Sequence, residues 1–503
     1  MRNQFLWIGG ILFSGLVVLH YFQIIPLAGP IIVGVIYFIG VYNTFQKNHA
    51  ILKNFPVLGY FRYFFESISP EIQQYFIERN TDGKPFSRNH RALVYRRAKS
   101  VNDTHPFGTQ LELNNSDYEG LRHSIYARKP HEEFPRIKVG GKDCKQPYEA
   151  SLLNTSAMSF GSLSKNAIRA LNLGAKKGNY YHNTGEGSIS PYHLENGGDL
   201  VWQIGTGYFG CRTEDGQFDP QKFKEGANRP EVKMIEIKLS QGAKPGHGGV
   251  LPGEKNTPEI AKIRGVKPHT TVISPPSHSH FSNAEGLLDF IVELRELSGG
   301  KPVGFKLCVG RAEEFVELCE SMKKTGIKPD FITVDGAEGG TGAAPLEFSD
   351  SVGLPLKPAL IFIHKVLQKM ELRNDIVIIA SGKIISAENI IKIRALGADI
   401  CNSARGFMFS VGCIQALRCN TNACPTGVAT QNEMLQKGLV VSDKAERAYN
   451  FHQNTLKATM ELLAACGLSS IQEITIDMYL KGDEFVNIQN KYFPDKMAEE
   501  FLN

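Results

Sequence analysis

The sequence predicts an α/β protein whose main body is a (β/α)8 TIM barrel, preceded by a helical hairpin long enough to cross a bilayer. Three observations carry this. From about Tyr148 onward, short β-rich runs alternate with helix-like stretches, the signature of a parallel sheet. No G-x-G-x-x-G turn follows a strand, which argues against the rival Rossmann topology. Two uncharged apolar stretches stand at the N-terminus, directly before the one concentration of basic residues. With 42% hydrophobic and 21% charged residues, the chain is neither wholly disordered nor collagen-like. Four segments follow: a hairpin over 1–45, a basic lead-in over 46–147, the barrel over 148–431 and a helical tail over 432–503.

The hairpin rests on Phe5–Phe22 and Leu27–Tyr42, which contain no Asp, Glu, Lys or Arg. They are 18 and 16 residues long, at the short end of what spans a hydrocarbon core of about 30 Å. Pro26 turns the chain between them. Arg2 precedes the first run and Lys47 and Lys53 follow the second, so both ends, and the barrel with them, are expected on the cytoplasmic side of a membrane. A cleaved signal peptide is one alternative, although no A-x-A-like site follows; a buried core hairpin is another. Between Gln46 and Ser100 there are ten Lys or Arg against four acids, while the whole chain carries only +5. The remainder is close to neutral, which argues against nucleic acid as a partner. Within the lead-in, Phe55–Ile77 is unusually aromatic, and either lies among lipid headgroups or packs on the domain that follows.

The candidate barrel strands are Ala150–Thr155, Tyr180–His182, Met234–Leu239, Thr271–Ile273, Val303–Leu307, Phe331–Val334, Ile376–Ile379 and Asp399–Asn402. Helical patterns such as Ala284–Leu297, started by Asn283, and Ala312–Lys324 separate them. Chemistry in such a fold sits where strands end. The loops found there are Ser156–Gly161, Asn183–Gly187 with Glu186, the segment from Lys238 through Gln241 and Lys244 to Gly249, Asp335–Gly342 with Gly339 and Gly340, Ser381-Gly382-Lys383, and Ser403-Ala404-Arg405-Gly406. Lys306 lies on the fifth run. Glycines let backbone approach a ligand and offer N–H groups to an anion. Lys383 and Arg405 fall where such barrels commonly take phosphate, so a phosphate-bearing cofactor is favoured. His278-Ser279-His280 could form a metal pair as in metal-dependent hydrolases, but further ligands at other strand ends are not evident, and a polar pocket wall is the default.

Nine cysteines do not suggest a disulfide framework. Six are scattered and read as small buried hydrophobes. Cys413, Cys419 and Cys424, followed by Pro425, are clustered. An iron–sulfur cluster, a zinc knot with a remote fourth ligand, or no metal all fit that spacing.

Taken together, SAMSFGSLS (Ser156–Ser164), NTGEG (Asn183–Gly187), EIKLSQGAKPGHGG (Glu236–Gly249), ISPPSHSHFS (Ile273–Ser282), GFKL (Gly304–Leu307), GAEGGTGAAP (Gly336–Pro345) and GCIQALRCNTNACPTGVATQ (Gly412–Gln431) resemble the FMN-binding synthase domain of glutamate synthase. The resemblance is to the small stand-alone members with an N-terminal membrane segment, and Phe55–Lys99 looks like their lead-in. It implies FMN in the barrel and a 3Fe-4S cluster on Cys413, Cys419 and Cys424. It also implies a hydride passed from reduced flavin to 2-iminoglutarate, formed from 2-oxoglutarate and ammonia, giving L-glutamate. Ser159, Lys306, Gly339, Gly340, Ser381, Gly382, Lys383, Ala404 and Arg405 fall at expected flavin positions. Lys238, Gln241, Lys244 and Glu186 fall around the substrate: the lysines to hold dicarboxylate oxygens, Glu186 to assist proton transfer or merely orient a lysine.

The chain also departs from the family pattern. Ser381-Gly382-Lys383 replaces a usual D-G-G, His247 a usual acid, and Ala337-Glu338 a common His-Asp. It begins MRNQFLW without a catalytic N-terminal cysteine, so ammonia or another amine is expected to come from elsewhere. Lacking a nicotinamide fingerprint, it is expected to take electrons from a ferredoxin-like protein, a membrane carrier or a partner subunit. The competing readings are a flavin and iron–sulfur enzyme for another oxo acid or imine, and a membrane-tethered electron-transfer subunit.

Overall fold

The computed structural model describes residues 2–482 and divides into two compact units, Met1–Arg88 and Asn89–Asn503. The division falls inside the expected lead-in. The reason is the helix Arg88–Ala98, whose Arg91, Val94, Arg97 and Ala98 are buried. Asn450 and Asn454 of the long helix Val441–Ala465 donate to the carbonyls of Ala98 and Arg97. Residues from 89 onward thus belong to the barrel unit. Of the expected helical tail, residues 483–503 lie outside the described residues. The described part also ends in a strand, Tyr479–Lys481, paired antiparallel with Glu119–Leu121.

The N-terminal unit holds two apolar helices, Arg2–Tyr21 and Ala28–Phe45. They meet through aromatic contacts, with Tyr37 stacked against Phe5 and Phe13 at 6.0 and 6.1 Å. Trp7, Ile8 and Ile11 face outward. Asn43, buried near the end of the second helix, donates to the Pro56 carbonyl at 2.6 Å and ties it to the next segment. The aromatic stretch forms the helix Gly59–Ile72, which leaves Phe61, Phe64 and Phe65 exposed.

In the second unit eight parallel strands close into a barrel: β1 (Leu153–Thr155), β2 (His182–Asn183), β3 (Leu200–Ile204), β4 (Val232–Lys238), β5 (Val303–Leu307), β6 (Phe331–Asp335), β7 (Val377–Ser381) and β8 (Ile400–Ser403). Seven coincide with expected runs; one expectation is corrected. Val272–Ile273 is not a barrel strand but pairs antiparallel with Val250–Leu251 in an excursion after β4. The true third strand is Leu200–Ile204, and Met234–Leu239 therefore belongs to the fourth. The helix before β3 spans only Pro191–Leu194, so the alternation that marks a barrel is weakest there.

An antiparallel pair, Arg136–Val139 with Tyr148–Ser151, closes the N-terminal end. Val139, Tyr148 and Ala150 join Val201, Met234, Phe331, Ile379 and Ile400 in one apolar cluster. Above it lies a polar layer centred on Glu236, only 1% exposed. Its carboxylate accepts from Asn183 at 2.8 Å, Gln203 at 2.6 Å and Thr333 at 2.7 Å, so four strands share one buried anion. A buried carboxylate is tolerated when its lone pairs are filled in this way.

Candidate active site

The C-terminal ends of the strands bring most of the expected residues together. Lys238 ends β4, and its ammonium lies 3.1 Å from Glu186 in the loop after β2. Gly249 returns directly beside that carboxylate, where any Cβ would collide with it. Burial works to raise the Glu186 pKa, but Lys238, Arg264 and Lys244 outweigh it and hold the carboxyl below its ordinary range. Lys238 is lowered by burial, with Glu186 opposing and Lys306 reinforcing the effect. The register explains the last influence: Lys306 on β5 pairs directly with Lys238 on β4. Lys244, also buried, donates to the Ala343 carbonyl at 2.8 Å, and burial brings its pKa to about 8. Gln241 is half-buried on the same loop, and no contact of its side chain with the Glu186–Lys238 pair is seen.

Arg264 was not foreseen. It ends the helix Pro258–Arg264, far in sequence from any barrel strand end, yet it is buried beside Gly187 and donates to the Phe160 carbonyl at 3.0 Å. Its guanidinium also lies over the Phe209 ring at 5.2 Å. Nothing in the residues around it marks it. Glu236 was missed as well, although a carboxylate between two isoleucines in the strand VKMIEIK was a usable signal.

Around the opposite arc, Lys306 is 4% exposed, and Asp335 is 3.9 Å from its ammonium, beyond hydrogen-bond reach. Asp335 is engaged by the Gly242 N–H at 2.9 Å. Ser381 ends β7, is buried, and lies 3.4 Å from Ser156. Arg405 donates to the Glu338 carbonyl at 2.9 Å and lies flat against Gly340, where a Cβ would crowd the guanidinium. Burial brings it to about 10 despite Asp335 and Glu338. Gly339 turns back on Gly336 at 2.8 Å. Ser159 accepts from the Gly187 N–H at 3.1 Å, locking the first loop to the second. Ala404 leads into the short helix Arg405–Ser410. Lys383 is exposed beside Gly382, with a left-handed backbone, and its charge reaches His90.

Two of the departures have structural roles. The Glu338 carboxylate accepts the Leu356 N–H at 3.0 Å, at the start of the helix Leu356–Lys369. The His247 ring packs on Phe348 with centroids 5.1 Å apart. His278 bonds the Lys238 carbonyl at 3.0 Å and the Tyr208 hydroxyl at 3.1 Å, while His280 bonds Glu293 at 2.8 Å. The H-x-H is therefore wall, and burial lowers His278 to about 4, keeping it neutral.

The net charge tests the fit to an anionic ligand. Among the described residues, the carboxylates whose charges act on Lys238, Lys244, Arg264 and Arg405 are Glu186, Asp335 and Glu338, and Asp335 also lies 3.9 Å from Lys306. Buried cations in excess suit a phosphate and a dicarboxylate. The cysteine loop can be tested in the same way. Burial raises Cys413, to about 12, and Cys419. Cys424 lies below its ordinary value because Thr426 and the backbone N–H groups of Ala429, Thr426 and Val428 outweigh burial. Among the described residues, no three ligand-type side chains close on a single-ion site. A multi-iron cluster makes a different demand, since each thiolate there binds its own iron, and the three soft donors are of the right kind.

The conserved region in glutamate synthase, as a family, matches residues 107–469. The chain is 38% identical over 513 residues to a glutamate synthase large subunit-like protein, YerD, of Bacillus subtilis (strain 168), covering 92% of this chain and 96% of that one. It is 34% identical over 318 residues to the archaeal glutamate synthase (NADPH) of Methanocaldococcus jannaschii, covering 63% and 59%. To the ferredoxin-dependent glutamate synthase of Cyanidium caldarium it is 31% identical, covering 65% of this chain and 22% of that one. It thus spans less than two thirds of the length of both named synthases. A mutant flavocytochrome b2 with pyruvate bound aligns at 14% identity and a TM-score of 0.42 over 88% of this chain and 91% of that one, too distant to bear on the chemistry. By the extent of the family match and the near full-length likeness to YerD, the chain belongs to the glutamate synthase family.

Proposed function

We propose that this chain is an FMN- and iron–sulfur-dependent oxidoreductase that makes L-glutamate from 2-oxoglutarate and ammonia by reducing 2-iminoglutarate. The observation that carries this reading is the cluster of buried cations around the Glu186–Lys238 pair at the mouth of the barrel. When bound, FMN supplies the hydride and a 3Fe-4S cluster on Cys413, Cys419 and Cys424 supplies electrons singly. Ser159, Lys306, Gly339, Gly340, Ser381, Gly382, Ala404 and Arg405 would hold the flavin, and exposed Lys383 would reach only its rim. Lys306 would meet developing negative charge with a buried ammonium. Lys238, Lys244 and Arg264 hold the two carboxylates of the substrate by charge-assisted bonds, with Gln241 at the edge of the site. Glu186, kept ionised by its cationic neighbours, takes a proton from ammonium as water leaves and the imine forms.

For electrons we propose a one-electron donor of the ferredoxin class or a reductase subunit, because no nicotinamide fingerprint occurs in the chain. The helices Arg2–Tyr21 and Ala28–Phe45 are long and apolar enough to cross a membrane, and the first buries no side chain. We read them as an anchor with both ends cytoplasmic.

The test is direct. Full-length chain purified in detergent and loaded with iron, sulfide and FMN is given reduced ferredoxin, 2-oxoglutarate and ammonium, and glutamate is measured. Glutamate formation is expected. A correctly folded chain that takes up neither flavin nor iron would overturn the reading. A second reading, reduction of another oxo acid or imine, is favoured by His247, which packs on Phe348 where an acid is usual. Flavin reoxidation by a different oxo acid, without glutamate, would select it.

A further inference from the structure

Lys255 is 2% exposed and forms no ion pair with a carboxylate among the described residues. Its ammonium donates instead to three carbonyls: Ser162 at 2.6 Å, Cys419 at 3.2 Å and Ala429 at 3.2 Å. These belong to two different segments. Ser162 is in the loop after β1, which carries Ser159, and Cys419 and Ala429 are in the cysteine loop. Further bonds stitch the same two segments together. Gln431 donates to Gly161 and Leu163 at 3.0 and 2.9 Å, and the Ser164 N–H donates to the Val428 carbonyl at 2.9 Å.

A buried ammonium needs a counter-ion, since three neutral carbonyls solvate its protons without cancelling its charge. The groups beside Lys255 that take up negative charge on binding iron are the thiols of the cysteine loop, whose backbone its ammonium already holds at Cys419. A second cation, Arg91, acts on Cys413 from the helix Arg88–Ala98, and Tyr95 of that helix donates to the Cys413 carbonyl at 2.7 Å. The cysteine loop is thus held between a fixed positive charge on the barrel side and another on the lead-in side. The pull on the thiolates and the tie to the Ser159 loop meet in one side chain.

We propose that Lys255 is the counter-charge of the cysteine loop and sets the reduction potential of the centre those thiolates carry, while holding that loop in register with the flavin-side loop. It is a positioning residue, not a catalytic one, and the inference rests on the iron–sulfur reading above. Each electron taken from a ferredoxin-class donor adds one negative charge at the centre. A cation several ångströms away in a weakly polarisable interior therefore stabilises the reduced form.

The experiment is an EPR-monitored redox titration of the full-length loaded chain, wild type against Lys255→Gln, Lys255→Met and Lys255→Arg, with iron content measured in each. Neutral replacements are expected to disfavour reduction about tenfold, a fall of about 59 mV for a one-electron couple. Lys255→Arg is expected to stay near wild type. Equal potentials in all four chains would overturn the proposal. Loss of iron from the Gln and Met variants with retention in Arg would support it, because the positive charge is what Lys and Arg share and the other two lack. Loss from all three would overturn it, because shape and not charge would then be decisive. If the wild type itself holds no iron, the iron–sulfur reading fails first, and the two failures are thereby distinguished.

Discussion

Lys238 faces a carboxylate on one side and another ammonium on the other. That placement makes it useful to an incoming dianion, because Glu186 neutralises only part of the surrounding positive charge. Lys238→Ala should lower glutamate formation by at least about 100-fold while leaving the flavin absorption spectrum intact; unchanged turnover would remove Lys238 from the substrate site. Lys244 sets a pH limit. Burial lowers it to about 8, and only the protonated form attracts carboxylate. kcat/KM for 2-oxoglutarate should hold on the acid side of pH 8 and fall as pH rises through it, and Lys244→Arg should remove that limb from the profile. Lys238, Lys244, Lys306 and Glu186 were legible as candidates because each stands at or just past a strand end, and their roles were read from the family resemblance. Arg264 and Lys255 were not. Both lie in the excursion between β4 and β5, and what makes them matter is contact with Gly187, Phe160 and the cysteine loop.

Among the elements, the strands of the barrel were mostly readable, and the exception shows the limit. LVWQI and TVI are both short apolar runs, and periodicity cannot separate a buried parallel strand from a surface hairpin strand. Only the closing of the barrel, in which β3 must bridge β2 and β4, decides between them. Glu236 is the polar counterpart of that closure. Replacing it with Leu strands three donors on three other strands, β2, β3 and β6, each worth on the order of 1–3 kcal/mol. The urea midpoint of the barrel unit should fall clearly, and Glu236→Gln, which keeps an acceptor, should fall less. Ser164 offers a smaller test. Its hydroxyl caps the helix Lys165–Gly178 by accepting the Ala167 N–H at 3.1 Å, so Ser164→Ala should cost about 1 kcal/mol in the same titration.

For the whole molecule, the division at Arg88 places the two proposed membrane helices in a different unit from the barrel. A chain lacking residues 1–88 should move from the membrane fraction to the soluble fraction and still bind flavin. Persistence in the membrane fraction would move the anchor elsewhere in the chain. The pair Arg136–Val139 and Tyr148–Ser151 has a different consequence. It seats an apolar stopper beneath the Glu236 layer, which turns the cylinder into a cul-de-sac. Arrivals and departures must share one doorway. A departing amino acid then blocks the next oxo acid, so accumulated product should inhibit by direct competition and slow the enzyme when its own output is plentiful.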